Sequence, residues 1–544
     1  MNIKLLLLGT LLLCSPLFLS AQGSEVPAEL DWGPQYSESG GSRLTKVVDF
    51  NKEAYYVLRQ RPAGALTYPK VFIEEYDNEE KLVRSQRLEL KYKNKRRTFQ
   101  DVVKIGGQFY FFTSFLNEAQ KINYLFYQTL NRKLLPSRKL TKVAQIPAPN
   151  EARPGNFNLL ISSDSSKVLI YSQLDNRNKE PARFSLSVFD NQMQPLWNKE
   201  VTLPYNEQQF EIEDYRLDDQ GNVYLLGRQY LDGRRDSRGG APNYQYNILT
   251  YTNAGQDKQE YRVAVGDKFI SDLTFRIGDD GNLTCAGFFS EQAANSAKGT
   301  CFFRIDLESR EVYNINFKEF DFGFRAQGLS GSGARRAQRA EQEGDTRSEA
   351  ELFRYSLDRL ILRSDGGAVL VAEQYYVTEQ FNRFNRGSMF WGDPFLWNDP
   401  MMNNQTDFIF HYNDIIVVNI RPDGSIEWAT RIPKYQRTLN DGGYFSSYAM
   451  AVVRDRLYFV FNDNSRNFEN DGNTRLFNFD PRRAVIAVAE LRRDGELSMF
   501  PLFGNQQAGI IARPKMCRQV GSRQMMIYGE RGKFYRFGEL TFEQ

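Results

Sequence analysis

The sequence predicts an all-β protein, a single β-propeller of eight four-stranded antiparallel blades. Three observations carry this. A strand, a tight polar turn and a second strand rich in aromatic and β-branched residues recur eight times along the chain. Seven of those units are followed by a second hairpin of the same kind. Aromatic residues make up 14% of the sequence, with 29 Tyr and 41 Phe, and such side chains suit pleated, half-buried surfaces. Four strands per unit, repeated about every 55 to 60 residues where no insertion intervenes, is the pattern of a propeller blade.

The first residues form a targeting segment and not part of the fold. MNIKLLLLGTLLLCSPLFLSAQGS has one early Lys4, an apolar run over 5–19 and small residues at its end. That layout is a secretory signal peptide, with cleavage expected after Ala21 or Gly23. Leu13 ahead of Cys14 breaks a lipobox, so Cys14 leaves with the peptide. The LSAQ ending resembles signal peptides common among Bacteroidota. No later apolar run is long enough to span a bilayer. The mature domain, 24–544, is expected to be exported and soluble, in the periplasm or associated with the outer membrane.

The eight first hairpins follow in order. They read NKEAYYVL from Asn51, IGGQFYFF from Ile105, SDSSKVLIY from Ser163 and DDQGNVYLL from Asp218, then GDDGNLTCA from Gly278, SDGGAVLVA from Ser364, VRDRLYFVF from Val453 and QVGSRQMMIY from Gln519. The second hairpins turn at YDNEEKLVR (Tyr76), TLNRKLLP (Thr129), FDNQMQPLW (Phe189), YTNAGQDKQEY (Tyr251), IDLESREVY (Ile305), IRPDGSIEW (Ile420) and LRRDGELSMF (Leu491). Turns of the Asp-Gly, Gly-Gly and Asn-Gly type supply the positive φ that tight hairpins need. The Asp-rich turns lack the further ligands of a calcium loop, so no metal is predicted. The eighth unit stops after GKFYRFGELTFEQ, one strand short. ELDWGPQYS, from Glu29 to Ser37, is the predicted donor of that strand, which closes the ring and removes both edges.

Composition excludes several chemistries. A formal charge of +3 over 544 residues gives no whole-protein case for nucleic-acid binding. His411 is the only histidine, so multi-His metal centres are excluded and any His-based triad is left to this one residue; its strand setting, DFIFHYNDIIVVNI, points to a structural role. Cys285 and Cys301 lie on neighbouring strands of blade five, either bridged or as two buried thiols. Cys517 reads as a lone core residue.

The connections are uneven. Turns between first and second strands and between third and fourth strands share one face of a propeller, and here all are short. The long connections belong to the other face: 231–243, 290–299, 328–350, 378–406 and 462–483. Loops on a rigid scaffold are where such folds keep function. The segment MFWGDPFLWNDPMM, 389–402, supplies Phe390, Trp391, Phe395, Trp397, Met401 and Met402 as anchor types for a protein partner. The same residues also suit a lid over the propeller mouth, or a membrane-interface contact, against which the sparse flanking Lys and Arg argue. GLSGSGARRAQRAEQEGDTRSEAELF is low-complexity, basic then acidic, and reads as a disordered or partly helical excursion. Arg335, Arg336 and Arg339 could sit with Arg234, Arg235 and Arg238 as an anion-seeking patch, with KYKNKRRT (Lys91 to Thr98) on the same face. A solvated charged surface is the plainer reading.

The unit pattern resembles eight-bladed propellers over the whole mature chain. Quinoprotein dehydrogenases share that blade count, but the resemblance would imply a quinone cofactor and an adjacent-Cys pair. This chain has no vicinal cysteines and five Trp, so no cofactor is expected. It also resembles the outer-membrane-assembly propellers of Gram-negative bacteria in blade count and compartment, without their lipid anchor. YNDIIVVNIRPDGSIEWATRIP resembles exported Bacteroidota propellers. Since the chain stops on its last strand, surface attachment is expected to come through a partner. The expected function is a non-enzymatic scaffold that binds an envelope protein through the decorated face of blades four to seven. The alternative is a glycan-binding or glycan-processing propeller that uses the central mouth. Its chemistry would fall to carboxylates such as Asp393, Asp399 and Asp463.

Overall fold

In the computed structural model the chain forms eight four-stranded antiparallel sheets arranged as an eight-bladed propeller. The structure describes residues 27–543 apart from 39, 52, 65–66, 149–153, 175–179, 207, 232–236, 239–240, 264–267, 279, 328, 346–348, 382–405, 470–475 and 505–508. Blade one runs Arg43–Phe50, Ala54–Arg61, Lys70–Asp77 and Leu82–Leu88 from inner to outer strand. Blades two to seven repeat the order, and each sheet keeps its strands in sequence order.

Burial follows strand position. In blade five the second strand, Leu283–Ser290, is buried along its whole length, as is the third strand of blade seven, Ala484–Leu491. Outer strands such as Leu82–Leu88 stay mostly exposed. The core is therefore not central but divided among the gaps between blades. Eight apolar clusters fill eight gaps, each drawing on two successive sheets. Phe275, Tyr246 and Phe303 fill the gap between blades four and five; Tyr55, Tyr76, Tyr528 and Phe537 fill the gap between eight and one.

The ring closes as the sequence predicts. Ala28–Trp32 pairs with the last strand, Phe534–Phe542, in the register Ala28 to Phe542 and Trp32 to Gly538. Tyr36–Ser37 continues the pairing. The last blade thus takes its outer strand from the beginning of the chain, and Phe534–Phe542 is paired on both sides.

The inner strands carry a feature the repeat reading does not contain. In blades one, two, four, five and six β-bulges leave residues of the inner strand without a cross-strand partner: Thr45 and Val48 in blade one, then Gln100, Glu213, Ser271 and Asp358. In three of them the next residue is an aspartate that accepts the following backbone N–H: Asp101 from Val102 (2.8 Å), Asp214 from Tyr215 (2.9 Å) and Asp272 from Leu273 (2.9 Å). A bulge bends and twists its strand, which fits a strand that must curve around the channel.

The charged segment over 328–350 is more ordered than its composition suggests. After a short helix α1 (Phe322–Ala326), residues Gly331–Glu343 form helix α2. The Ser330 hydroxyl accepts the Gly333 N–H at its start, and Gly344 ends it at φ 69°. Ala337 and Ala340 are its buried residues. Cys285 and Cys301 are free, buried thiols. The register sets Cys285 opposite Phe303 and Cys301 opposite Gly287, a diagonal pair some 7 to 8 Å apart in a typical sheet and beyond disulfide reach. Cys517 is likewise a buried free thiol. Among the described residues no helix is long and apolar enough to cross a membrane.

Candidate functional site: a cleft walled by the insertions

A cavity of about 1400 Å³ opens over blades five to seven. Its walls come from separate insertions. Arg325, Leu329 and Ser330 come from the helical excursion, Phe353 and Tyr355 from the start of blade six, and Phe477 and Asn478 from the blade-seven connection. Blade six itself supplies Gln374, Asn413 and Asp414.

The floor is built from buried charges that answer one another. Lys434 is 1% exposed. Its ammonium donates to Glu373 Oε1 (2.7 Å), the Tyr412 carbonyl (2.8 Å) and Gln436 Oε1 (3.3 Å). Glu373 accepts the Ser447 hydroxyl at 2.8 Å, and Lys515 donates to the Tyr412 hydroxyl at 2.8 Å. Burial outweighs Glu373 and pulls Lys434 below the ordinary lysine value. Beside it Asp414 accepts the Lys434 N–H (3.1 Å) and Arg431 Nη1 (3.3 Å). Burial lifts its carboxyl above the usual range in spite of these donors. Arg325, 4% exposed, spends its guanidinium on the carbonyls of Phe320 (2.8 Å) and Ala350 (2.7 Å) and on Glu341 (3.0 Å).

These pairings decide what the cleft can do. Its described cations, Lys434, Arg325 and Arg431, are each engaged by carbonyls and carboxylates, which leaves little free positive charge for an anion. The Ser447 hydroxyl does meet a carboxylate, but that carboxylate, Glu373, is itself held by the Lys434 ammonium at 2.7 Å, which opposes its use as the base that nucleophilic catalysis needs. What it offers is an apolar rim, with Leu329 43% and Phe353 52% exposed, and the buried Asn413 amide, whose oxygen lacks a partner.

A second cavity, about 500 Å³, lies at the channel mouth between the inner strands of blades four to six, lined by Tyr244, Tyr375, Tyr376, Glu213 and Asp272 among others. Burial pushes the Asp272 carboxyl up to about 6. Both its oxygens are taken by backbone, Oδ1 by Leu273 N–H and Oδ2 by Leu357 N–H at 2.9 Å. Asp463 is 1% exposed, accepts the Asn464 N–H (2.7 Å) and Asn467 Nδ2 (2.7 Å), and is pushed up to about 6 by burial. It does not converge with Asp272: the first belongs to blade seven and the second to blade five.

The residues singled out from sequence fare unevenly. Phe390, Trp391, Phe395, Trp397, Met401 and Met402, with Asp393 and Asp399, lie outside the described residues, as do Arg234 and Arg235. Arg335 and Arg336 stand exposed on α2. In KYKNKRRT, Arg97 is buried and bound to Thr113 (2.7 Å) and Gln128 (3.0 Å), so it serves the fold. The Asp218 turn uses both carboxylate oxygens internally, on Gln220, Asn222 and Tyr224. His411 is half-buried and stacks on Tyr376 at 4.2 Å. Sequence reading missed Glu373, Lys434 and Gln436. For Lys434 and Gln436 a faint local signal was present, since in IPKYQ polar residues occupy positions that buried neighbours would assign to the core; that they meet Glu373 was not visible.

No protein-family model matches the chain, and no curated protein does. Solved structures that it resembles include a β-propeller domain. The WD40 domain of SCAP from fission yeast is 8% identical, with 95% of this chain and 99% of that one covered and a TM-score of 0.39. The β-propeller domain of the Trilobed protease from Pyrococcus furiosus is 11% identical, with 84% and 97% covered and a TM-score of 0.32. The acylaminoacyl peptidase of Pyrococcus horikoshii is 9% identical, with 92% and 60% covered and a TM-score of 0.34. At such identities and scores these likenesses say nothing of activity.

Proposed function

We propose that this protein is an exported, non-enzymatic scaffold that binds a protein partner through the cleft over blades five to seven, in the periplasm or at the outer membrane. One observation carries the reading: insertions from separate blades converge on one large cleft whose buried charges are mutually satisfied and whose rim is apolar. An exposed aromatic side chain such as Phe353 beside a preformed cleft is a residue type in which protein interfaces are enriched. The aromatic segment 389–402 springs from the same blade and would add anchors. The glycan alternative would use the mouth cavity, where the backbone-bound oxygens of Asp272 argue against acid–base work.

The test is capture from the native envelope with wild type, a Leu329→Asp/Phe353→Asp variant, and Leu196→Asp as a control at an exposed position near the start of the outer strand of blade three. Loss of each hot-spot contact is worth about 2 kcal/mol or more, roughly 30-fold in affinity. A stoichiometric partner should therefore vanish with the rim variant and remain with the control. A partner retained by the rim variant, or lost equally with the control, would sink the assignment.

A further inference from the structure

We propose that Arg354, His411 and Arg437 form an oxyanion-binding row on the overhang of blade six. Its ligand would be a carboxylate or a sulfate or phosphate group. The assignment does not depend on what the cleft holds. The second and third strands of blade six, Ala368–Phe381 and Thr406–Ile420, run past the rest of the sheet, and Gln436–Leu439 adds a third strand to the overhang. In this ribbon Tyr376 pairs with His411, and His411 with Arg437. Directly paired residues on adjacent strands share a face, so the three side chains stand side by side. The Tyr376 and His411 rings stack at 4.2 Å and 14°. Arg354 closes the end of the row, its guanidinium 5.4 Å from the Tyr376 ring and 5.0 Å from the Phe353 ring.

Both cations are fixed by their backbones and idle at their tips. The Arg437 N–H donates to Asn478 Oδ1 (2.7 Å), and Asn478 Nδ2 returns a bond to the Arg437 carbonyl (3.1 Å). Arg354 sits at φ 56°, held by its N–H to the Asn295 carbonyl (2.8 Å) and by its own carbonyl to the Tyr375 N–H (3.1 Å). Such a backbone position for a non-glycine residue persists only where the surroundings over-determine it. Among the described residues neither guanidinium has a hydrogen-bond or carboxylate partner, in contrast to Arg325 and Arg431 nearby. Adjacent strands lie about 4.8 Å apart, a spacing at which one anion reaches more than one member of the row.

The imidazole completes the row. His411 Nε2 meets the Thr378 hydroxyl at 3.1 Å, and Nδ1 has no partner among the described residues. Burial, then Arg437, then Arg354 hold His411 below the ordinary histidine value. The nearest acid on the same face, Asp407, lies two rows along and accepts Asn440 Nδ2 at 2.9 Å. A bound oxyanion would offset the two guanidinium charges and favour the imidazolium, so affinity should rise as pH falls.

The chain's single histidine makes the test direct. Tag-free protein with 13C-labelled histidine is titrated by NMR in chloride, then in inorganic sulfate and in acetate at matched ionic strength. In chloride the His411 pKa should lie below 6.5. Saturating sulfate should raise it by about 1, which by linkage is roughly tenfold tighter binding to the imidazolium form. Acetate acting equally identifies a carboxylate ligand, and sulfate acting alone identifies a sulfate or phosphate group. In Arg354→Ala/Arg437→Ala both effects should disappear and the pKa in chloride should rise. If neither anion moves the wild-type pKa, or if the double variant responds as the wild type does, the row is not an anion site. The wild-type titration alone suffices should the variant misfold.

Discussion

The seam between blades eight and one and the cleft floor over blades six and seven each bury a cation, and they hold it differently. At the seam, Arg59 is 2% exposed, with its guanidinium 4.0 Å from the Tyr535 ring and 3.5 Å from the Tyr528 hydroxyl. Glu74 is close at 3.9 Å, but itself accepts the Tyr76 hydroxyl at 2.7 Å. Aromatic faces and hydroxyls spread the charge through a cluster otherwise like the seven other gaps. At the cleft floor, Lys434 meets Glu373 head-on at 2.7 Å and depends on it. The seam restates the repeat; the floor occurs once in the chain. Fold therefore rests on what recurs, and the candidate site on what does not.

Breaking the seam should have the largest effect. Without residues 27–37 the outer edge of Phe534–Phe542 is bare, and Leu30 no longer covers the blade seven–eight cluster. The truncated chain should lose its cooperative unfolding transition and aggregate through the open edge, as followed by chemical denaturation and size-exclusion chromatography. A midpoint equal to wild type would mean that the ring does not rely on this strand. At the floor, Lys434→Met leaves Glu373 buried and uncompensated, a loss of about 3 to 5 kcal/mol. Lys434→Met/Glu373→Met should recover most of it, and a double variant as unstable as the single one would contradict the pairing.

A smaller, pH-dependent effect belongs to Asp463. Its folded carboxyl is raised to about 6, against roughly 3.9 for an unfolded aspartate, so the folded protein holds this proton more tightly. The associated stability is complete below about pH 4 and is lost as pH climbs through 6, by about 3 kcal/mol. Asp463→Asn should flatten denaturation midpoints between about pH 4 and 6, whereas an unchanged slope would show that Asp463 is not the group responsible. The smallest effect is expected at the rim. Leu329→Asp/Phe353→Asp should alter stability by no more than about 0.5 kcal/mol per site, because both side chains are already exposed. A marked drop in unfolding midpoint would make the rim part of the scaffold.

Blade count, strand order and closure were legible because each rests on a pattern repeated eight times, where single irregularities cannot hide the period. The donor strand at Ala28–Trp32 was legible for a related reason: an incomplete last unit demands one. The ordered helix α2 was harder to see, since its buried face is only Ala337 and Ala340 in a charged stretch. The bulges left a faint trace, FQDVV, IEDYR and ISDLT at one place in three units, which alternation alone does not interpret. The cleft floor was illegible for a physical reason. Glu373, Lys434, Ser447 and Lys515 lie far apart in sequence and meet only through propeller geometry. No local period announces such a meeting. His411 read as structural from its strand setting; that it stacks on Tyr376 and lies opposite Arg437 depends on a pairing that only the overhang creates.

The most direct test of the account is amide hydrogen exchange on the protein with and without its captured partner. Protection is predicted over Phe320–Phe353, at Gln374 and Asn413, and through Arg431–Leu439 and Leu476–Asp480, with blades one to three unchanged. Protection centred instead on the short turns of the opposite face, or on blades one to three, would contradict the assignment of the cleft as the binding surface.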